Sequence, residues 1–356
     1  MNCESFSEMR EAKLYSRTPG GIRCDLCARR CVLGEGETGF CRVRVVENDT
    51  LKSMVYGLID GMAADPIEKK PLFHFAPGSK TFSISSSSCN FRCQFCLNYH
   101  SAHRNSPVGE SLTPEDIVKL AMNQDCTGIT YTYTEPTVFW EFATDTAQIA
   151  HSNGMFNTIV TNGYMTPEAI EMMTPNLDAA SINFKGSGNK DFYQKLMSVP
   201  KVEPIYKSME VLKEKGVFIE ITNLIIPEVG DFEDDTRQMA KWIVDNLGSG
   251  TPFHIIAFAP TYKMTHLPRT PPATLERHIR IAREAGLTFV YSGNIAGHDY
   301  EDTYCPNCGT RAVERYSVFL KSNNLDEKGR CPKCHKDLNM AGINWMVRGR
   351  GRARFF

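Results

Sequence analysis

The sequence has no surplus of either charge. Lysine and arginine number 40, aspartate and glutamate 41, for a formal net charge of −1, so bulk charge points to neither nucleic acid nor an acidic membrane surface. Long apolar runs are missing too. Phe253 to Pro260 is among the longest and is broken by His254, far short of the ~20 residues a membrane helix needs. The first residues, MNCESFSEMREAK, carry acids and no apolar stretch of the kind a secretory signal contains. No internal repeat and no long low-complexity segment is visible. These absences lead to the expectation of a cytoplasmic chain with no membrane contact. The 42% of hydrophobic residues is what a core-forming globular chain carries.

Cysteine, in contrast, is abundant, with thirteen in 356 residues. A cytosolic chain keeps its thiols reduced, so the spacing is read as metal ligation. Eleven fall into three groups: Cys24, Cys27, Cys31 and Cys41; Cys89, Cys93 and Cys96; and Cys305, Cys308, Cys331 and Cys334. Cys3 and Cys126 stand alone and read as small hydrophobes. The grouping suggests a Cys-rich metal-binding segment over 1–75, a core domain over 76–299 and a small metal module over 300–356.

The central region alternates strand-like and helix-like stretches. Strands are expected at Lys80–Ser86, Gly128–Tyr133, Phe156–Thr161, Ala179–Phe184, Val217–Ile225 and Phe253–Phe258, with a seventh at Thr288–Tyr291. Between them, Thr113-Pro114-Glu115-Asp116 and Thr166-Pro167-Glu168 are helix starts, while Gly216 and Gly286 stand where helices end. Such alternation implies parallel strands with crossover helices. The expected fold is α/β, a full or partial TIM-type barrel, with a partial (β/α)6 barrel as the specific form.

Cys89-Asn90-Phe91-Arg92-Cys93-Gln94-Phe95-Cys96 directly follows the first expected strand. Three thiolates this close converge on one inorganic cluster. Since four cysteines are the usual complement of a [4Fe–4S] cluster, three would leave one iron open for chemistry. The competing reading is a structural zinc loop that borrows His100 or His103, although structural zinc favours paired CxxC or HxxxH knuckles.

The flanking groups read differently. Cys305-x-x-Cys308 and Cys331-x-x-Cys334 are two knuckles 22 residues apart, the spacing of a zinc ribbon, with rubredoxin-type iron as the alternative. The four N-terminal cysteines suit zinc or an auxiliary [4Fe–4S] cluster. Ligand type cannot separate the two, and the reading leans to zinc. The run Arg348-Gly349-Arg350-Gly351-Arg352-Ala353-Arg354 is a basic tail, read as solvated in preference to a contact for RNA or phosphate.

The CxxxCxxC loop with Phe95 before its last cysteine resembles the signature of the radical S-adenosylmethionine (SAM) superfamily. Further segments resemble the branch near the pyruvate formate-lyase activating enzymes. Tyr133-Thr134-Glu135-Pro136 stands where that family has Gly-Gly-Glu, and Asn183-Phe184-Lys185 where it has Asp-x-Lys. Over nearly the whole chain, Cys24 to Cys41, Asp65-Pro66-Ile67-Glu68-Lys69-Lys70-Pro71 and Asn294-Ile295-Ala296-Gly297-His298 with Cys305-Pro306-Asn307-Cys308 resemble the radical SAM component of the AmmeMemoRadiSam system.

The resemblance implies an oxidoreductase-type or activating-enzyme-like radical SAM enzyme that cleaves SAM through a cluster on Cys89, Cys93 and Cys96. It implies SAM contacts at Phe95, Thr134, Glu135 and Lys185, and at Asn162 and Asn223, for which a turn role reads equally well. Implied partners are a reductant such as ferredoxin or flavodoxin and AMMECR-like and MEMO-like companions. The expected hydrogen donor is bulky or macromolecular, with both Cys-rich modules free to fold towards the active face. A glycyl-radical activase and, outside enzymes, a zinc-ribbon binding module with an inactive barrel are the alternatives. His254 reads as a satisfied core histidine.

Overall fold

The computed structural model describes residues 9–350. Cys3 and the end of the basic tail, Arg352 and Arg354, lie outside them. A single eight-stranded sheet organises the chain. Its strands are β1 (Gly61–Pro66), β2 (Lys80–Ser85), β3 (Gly128–Tyr131), β4 (Phe156–Thr161), β5 (Ala179–Lys185), β6 (Phe218–Ile225), β7 (Phe253–Ala257) and β8 (Val290–Gly293). They lie in sequence order across the sheet. β2 to β8 are parallel, and β1 runs antiparallel along β2.

The sheet does not close, because nothing pairs β8 with β1. The six-strand expectation is corrected to seven parallel strands plus an antiparallel edge. Every residue of β1 is in register with β2, from Gly61 opposite Ser85 to Pro66 opposite Lys80. Pro66 ends the strand, where a missing donor is tolerated.

Helices cover the outer face: α1 (Pro114–Asn123), α2 (Trp140–Ser152), α3 (Pro167–Met173), α4 (Lys190–Met197), α5 (Glu203–Glu214), α6 (Glu233–Leu247) and α7 (Pro272–Glu284). The α1 start forms a full capping box, in which Thr113 Oγ1 accepts from Asp116 N while the Asp116 carboxylate accepts from Thr113 N. Thr166 caps α3 through Ala169 N. The turn after β4 needs glycine: Gly163 has φ +73, and a Cβ there would lie 2.9 Å from Ile205 Cγ2.

The two ends of the sheet are closed differently. At the N-terminal ends of the strands, the segment after β1 folds back across the opening. The buried Glu220 of β6 accepts hydrogen bonds from Phe73 N (3.0 Å), His74 N (2.7 Å), Phe75 N (3.2 Å) and His254 Nε2 (2.7 Å). His254 is therefore a core histidine, as expected, and its partner is Glu220. The C-terminal module, with strands Arg311–Tyr316 and Phe319–Asn323, packs on the outside of this plug. Arg315 donates to the Phe73 carbonyl (2.7 Å) and stacks over the Phe73 ring. The expectation that both Cys-rich modules face the active end is thus corrected for this one, which seals the opposite end.

The N-terminal segment joins the main hydrophobic core through residues such as Ile22, Leu33 and Leu51. A buried, bidentate ion pair fixes it, Arg44 to Glu141 of α2 at 2.7 and 2.5 Å.

His74 is held neutral. Its Nδ1 faces the Leu338 carbonyl (2.9 Å) and so donates, while Nε2 accepts from the Tyr291 hydroxyl (2.5 Å). Burial pushes its pKa from 6.5 down to about 4. The unfolded chain takes up this proton near pH 6.5 and the folded chain only near 4, so stability falls as pH drops through that window. The loss from this one group is about 3 kcal/mol at the acid end. Urea unfolding between pH 7 and 4 should show it, and His74→Asn should flatten the pH slope there. Glu220→Ala, which strands three buried amides, should cost about 3–5 kcal/mol at pH 7, read as a lower urea midpoint.

Candidate active site

Ser85 ends β2, and the chain turns at Ser88, which has φ 88, into the cysteine loop. Cys89, Cys93 and Cys96 open into a cavity of about 520 Å³ at the C-terminal ends of the parallel strands, where parallel α/β proteins place their ligands. Burial pushes all three thiols up, Cys93 to about 12. Donors already face the sulfurs, for Phe91 N lies 3.3 Å from Cys89 Sγ. The nearby Lys185 ammonium favours the thiolates of Cys93 and Cys96.

Across the cavity stands Glu135, the cap of the short 3-10 turn Pro136–Phe139. Its Oε1 accepts from Thr137 N (3.1 Å), Thr137 Oγ1 (2.6 Å) and Thr161 Oγ1 (2.7 Å). Its Oε2 accepts only Asn162 N (2.8 Å). Burial raises its pKa against these bonds. The carboxylate is thus both a helix-start acid and a cavity wall, with acceptor capacity left on Oε2. Lys185, at the end of β5, is the complementary charge. Burial lowers its pKa to about 8, and its side-chain partner is the Asn183 amide oxygen. Among the described residues no carboxylate lies within ion-pair distance of it.

Phe95 lines the cavity and leans on Phe192, with ring centroids 5.6 Å apart. Thr134 lines it with its hydroxyl donated to the Ser86 carbonyl (2.7 Å). Asn162 bonds Asn90 Oδ1 (2.7 Å) beside Cys89. Asn223 is placed elsewhere. Its side chain accepts from Ser187 N (2.8 Å) and donates to Ser187 Oγ (2.8 Å), holding the turn after β5. Strand alternation turns Thr222 into the cavity in its place.

The segment from Asp65 to Lys80 leads into β2, and sequence reasoning gave its lysines no site role. Lys69, Lys70 and Pro71 line the cavity. Lys70 is buried, paired with Asp65 (2.7 Å), and lies over the Tyr133 ring. Two adjacent lysines before a proline, ahead of a strand, were the available signal.

The three cysteine groups differ in closeness. Cys305, Cys308, Cys331 and Cys334 have sulfurs all within 4.8 Å of one another, and among the described residues this is the only set of three or more ligands that tight. Cys305 and Cys334 Sγ are 3.5 Å apart, Cys308 and Cys331 3.6 Å. Four sulfurs around one ion with bonds near ~2.3 Å sit ~3.8 Å apart, which matches. The two knuckles repeat each other: Gly309 N donates to Cys305 O, His335 N to Cys331 O, and both residues have positive φ. Among the described residues, Cys89, Cys93 and Cys96 belong to no ligand group that tight.

A family model described as the Radical SAM superfamily matches residues 83–243. An uncharacterized protein of Methanocaldococcus jannaschii is 43% identical over 338 residues, covering 93% of this chain and 99% of that protein. Among solved structures, a radical SAM methyltransferase from Sphaerobacter thermophilus is 17% identical with a TM-score of 0.49, over 62% of this chain and 68% of that one. A domain of a pyruvate-formate lyase-activating enzyme from Bacteroides vulgatus is 19% identical with a TM-score of 0.41, over 47% of this chain and 99% of that one.

Full-length protein purified in air should carry about one tightly bound zinc per chain, the count a Cys₄ site takes. Cys308→Ser/Cys334→Ser should lose it, which elemental analysis reads directly. Zinc content unchanged in that variant would place the ion elsewhere.

Proposed function

We propose, from the radical SAM superfamily domain over residues 83–243, that the cavity binds a [4Fe–4S] cluster and SAM and generates a radical that takes a hydrogen atom from a bulky or macromolecular substrate. One observation carries the reading: three half-buried thiols, a buried carboxylate and an ammonium with no carboxylate partner share one cavity. A cluster held by Cys89, Cys93 and Cys96 would supply one-electron reduction of SAM, with the electron coming from an external reductant.

The chain's own residues hold the reactants. Cys89, Cys93 and Cys96 supply three thiolates and leave one metal position free. Glu135 Oε2 receives the ammonium of the methionine moiety, and Lys185 its carboxylate. Glu135 caps the turn that follows β3 and Lys185 ends β5 of the same sheet, so they fix the length and direction of a zwitterion. Phe95, with Phe192 behind it, offers an apolar face for the adenine. Thr134 and Asn162 brace the wall.

The choice of a bulky hydrogen donor is supported by the size and rim of the site. A cavity of about 520 Å³, within the ~300–1,000 Å³ of ordinary small-ligand pockets, leaves little room once SAM is inside. The donor group then enters from the rim, where Leu97 is 68% exposed. Tyr99 and Tyr262 stack beside it. A low-potential donor such as ferredoxin or flavodoxin fits the reductant role, and AMMECR-like and MEMO-like proteins are the companion candidates.

Anaerobic protein reconstituted with iron and sulfide should form 5′-deoxyadenosine from SAM with dithionite. The triple Cys89/Cys93/Cys96→Ala variant should form none. Glu135→Ala and Lys185→Ala should each weaken SAM binding about tenfold to a hundredfold, the loss of one charge-assisted bond. Unchanged affinity and turnover in Glu135→Ala would remove that residue from the site.

A further inference from the structure

The N-terminal cysteines lie at the active end of the sheet. Cys27 forms a backbone bridge with Met165, and Ala28 N donates to the Tyr164 carbonyl (3.1 Å), both just past the end of β4. The other side of the segment is tied to the catalytic loop. Arg92 donates to the Cys89 carbonyl (2.7 Å) and to the Phe40 carbonyl (2.6 Å). The Ser88 hydroxyl donates to the Cys41 carbonyl, so one hydrogen bond separates Cys41 from the residue before Cys89. Arg29 donates to the Asn90 carbonyl (2.6 Å). The Phe40 ring lies between the two guanidinium groups, 3.4 Å from Arg29 Cζ and 4.7 Å from Arg92 Cζ.

Two observations bear on what the four thiols hold. First, Cys24 is buried and Cys27, Cys31 and Cys41 are half-buried, yet among the described residues no three of their sulfurs form a group within 4.8 Å of one another. The C-terminal four in the same chain do, so that spacing marks a one-ion site and the N-terminal spacing does not. Second, Arg29 and Arg92 are half-buried and make hydrogen bonds only to carbonyls, with no carboxylate in ion-pair distance among the described residues. Arg29 lies between Cys27 and Cys31 in the chain and bonds the carbonyl of the residue after Cys89, while Arg92 bonds the Cys89 carbonyl and the carbonyl of the residue before Cys41. Two half-buried cations between two sets of thiols are matched by anions on both sides.

We propose that Cys24, Cys27, Cys31 and Cys41 bind a second [4Fe–4S] cluster, packed against the catalytic loop with Arg29 and Arg92 between the two sites. Four cysteines saturate its irons, so it has no open position for a substrate. Four thiolates on a [4Fe–4S]²⁺ core carry two negative charges, and the two arginines offset them. The site goes beyond the proposed SAM chemistry and stands without it.

The test uses the full chain, reconstituted anaerobically with iron and sulfide. Wild type should bind about eight irons, and the Cys89/Cys93/Cys96→Ala variant about four, the content of one such cluster. The variant's reduced EPR signal should be that of a [4Fe–4S]⁺ centre and should not shift when SAM is added. In fully reduced wild type the two signals should broaden each other through spin coupling, and Cys24/Cys27→Ala should abolish the broadening. Zinc without iron in the Cys89/Cys93/Cys96→Ala variant, or a two-iron centre there, overturns the proposal. Two unbroadened signals in wild type overturn the adjacency. If the variant keeps its four irons while wild-type signals ignore SAM, the second cluster stands and the SAM reading fails.

Discussion

The Glu220 carboxylate, buried on the central strand β6, gathers three successive backbone amides and the imidazole of His254, and much of the architecture depends on it. An isolated buried carboxylate is costly. Here burial works against the charge, but the His254 bond and the amides outweigh it, and the pKa is lowered. The segment that satisfies Glu220 must cross the mouth of the open sheet. That crossing seats Phe73 and His74 where the C-terminal module grips them through Arg315 and the Leu338 carbonyl. It also places Lys69 to Pro71 against the cavity. With one end of the strands plugged by a satisfied polar network, chemistry is confined to the other.

Much of this was legible in the sequence, for local reasons. Seven strand positions and the starts of α1 and α3 follow from β-branched runs and from Thr-Pro caps, signals contained within a few residues. Cysteine spacing located the C-terminal four-sulfur group, because ligand spacing encodes geometry directly. Glu135 and Lys185 line the cavity, as expected of residues at or just past the end of a strand that could itself be read. The face of Asn223 was not legible. Adjacent strand residues point opposite ways, and a shift of one residue in register decides between Thr222 and Asn223.

What escaped the sequence is contact between distant parts. β1, with the residues GMAADP, has neither alternation nor β-branched side chains, and only its pairing with β2 makes it a strand. The partnership of Arg44 with Glu141 joins residues 97 apart. No composition or spacing rule separates the end sealed by the C-terminal module from the end reached by the N-terminal one, since both modules are Cys-rich and both flank the barrel in sequence.

The distribution of unpaired charge distinguishes the two ends. At the plugged end, Glu220 has four donors, and the buried Arg315, which also bonds only neutral oxygens, those of Phe73, Glu301 and Thr303, has the buried Glu68 carboxylate within its field. Nothing further is required there to compensate a charge at Glu220. In the N-terminal segment, Arg44 is likewise matched by Glu141. At the cysteine loop, Lys185, Arg29 and Arg92 are half-buried and make do with neutral oxygens. Cations partly withdrawn from water favour a counter-charge nearby. Three of them beside seven cysteine thiols describe a region built for anions that the polypeptide supplies only in part. Thiolates on metal clusters and the carboxylate of a zwitterionic ligand are the anions whose chemistry fits those positions.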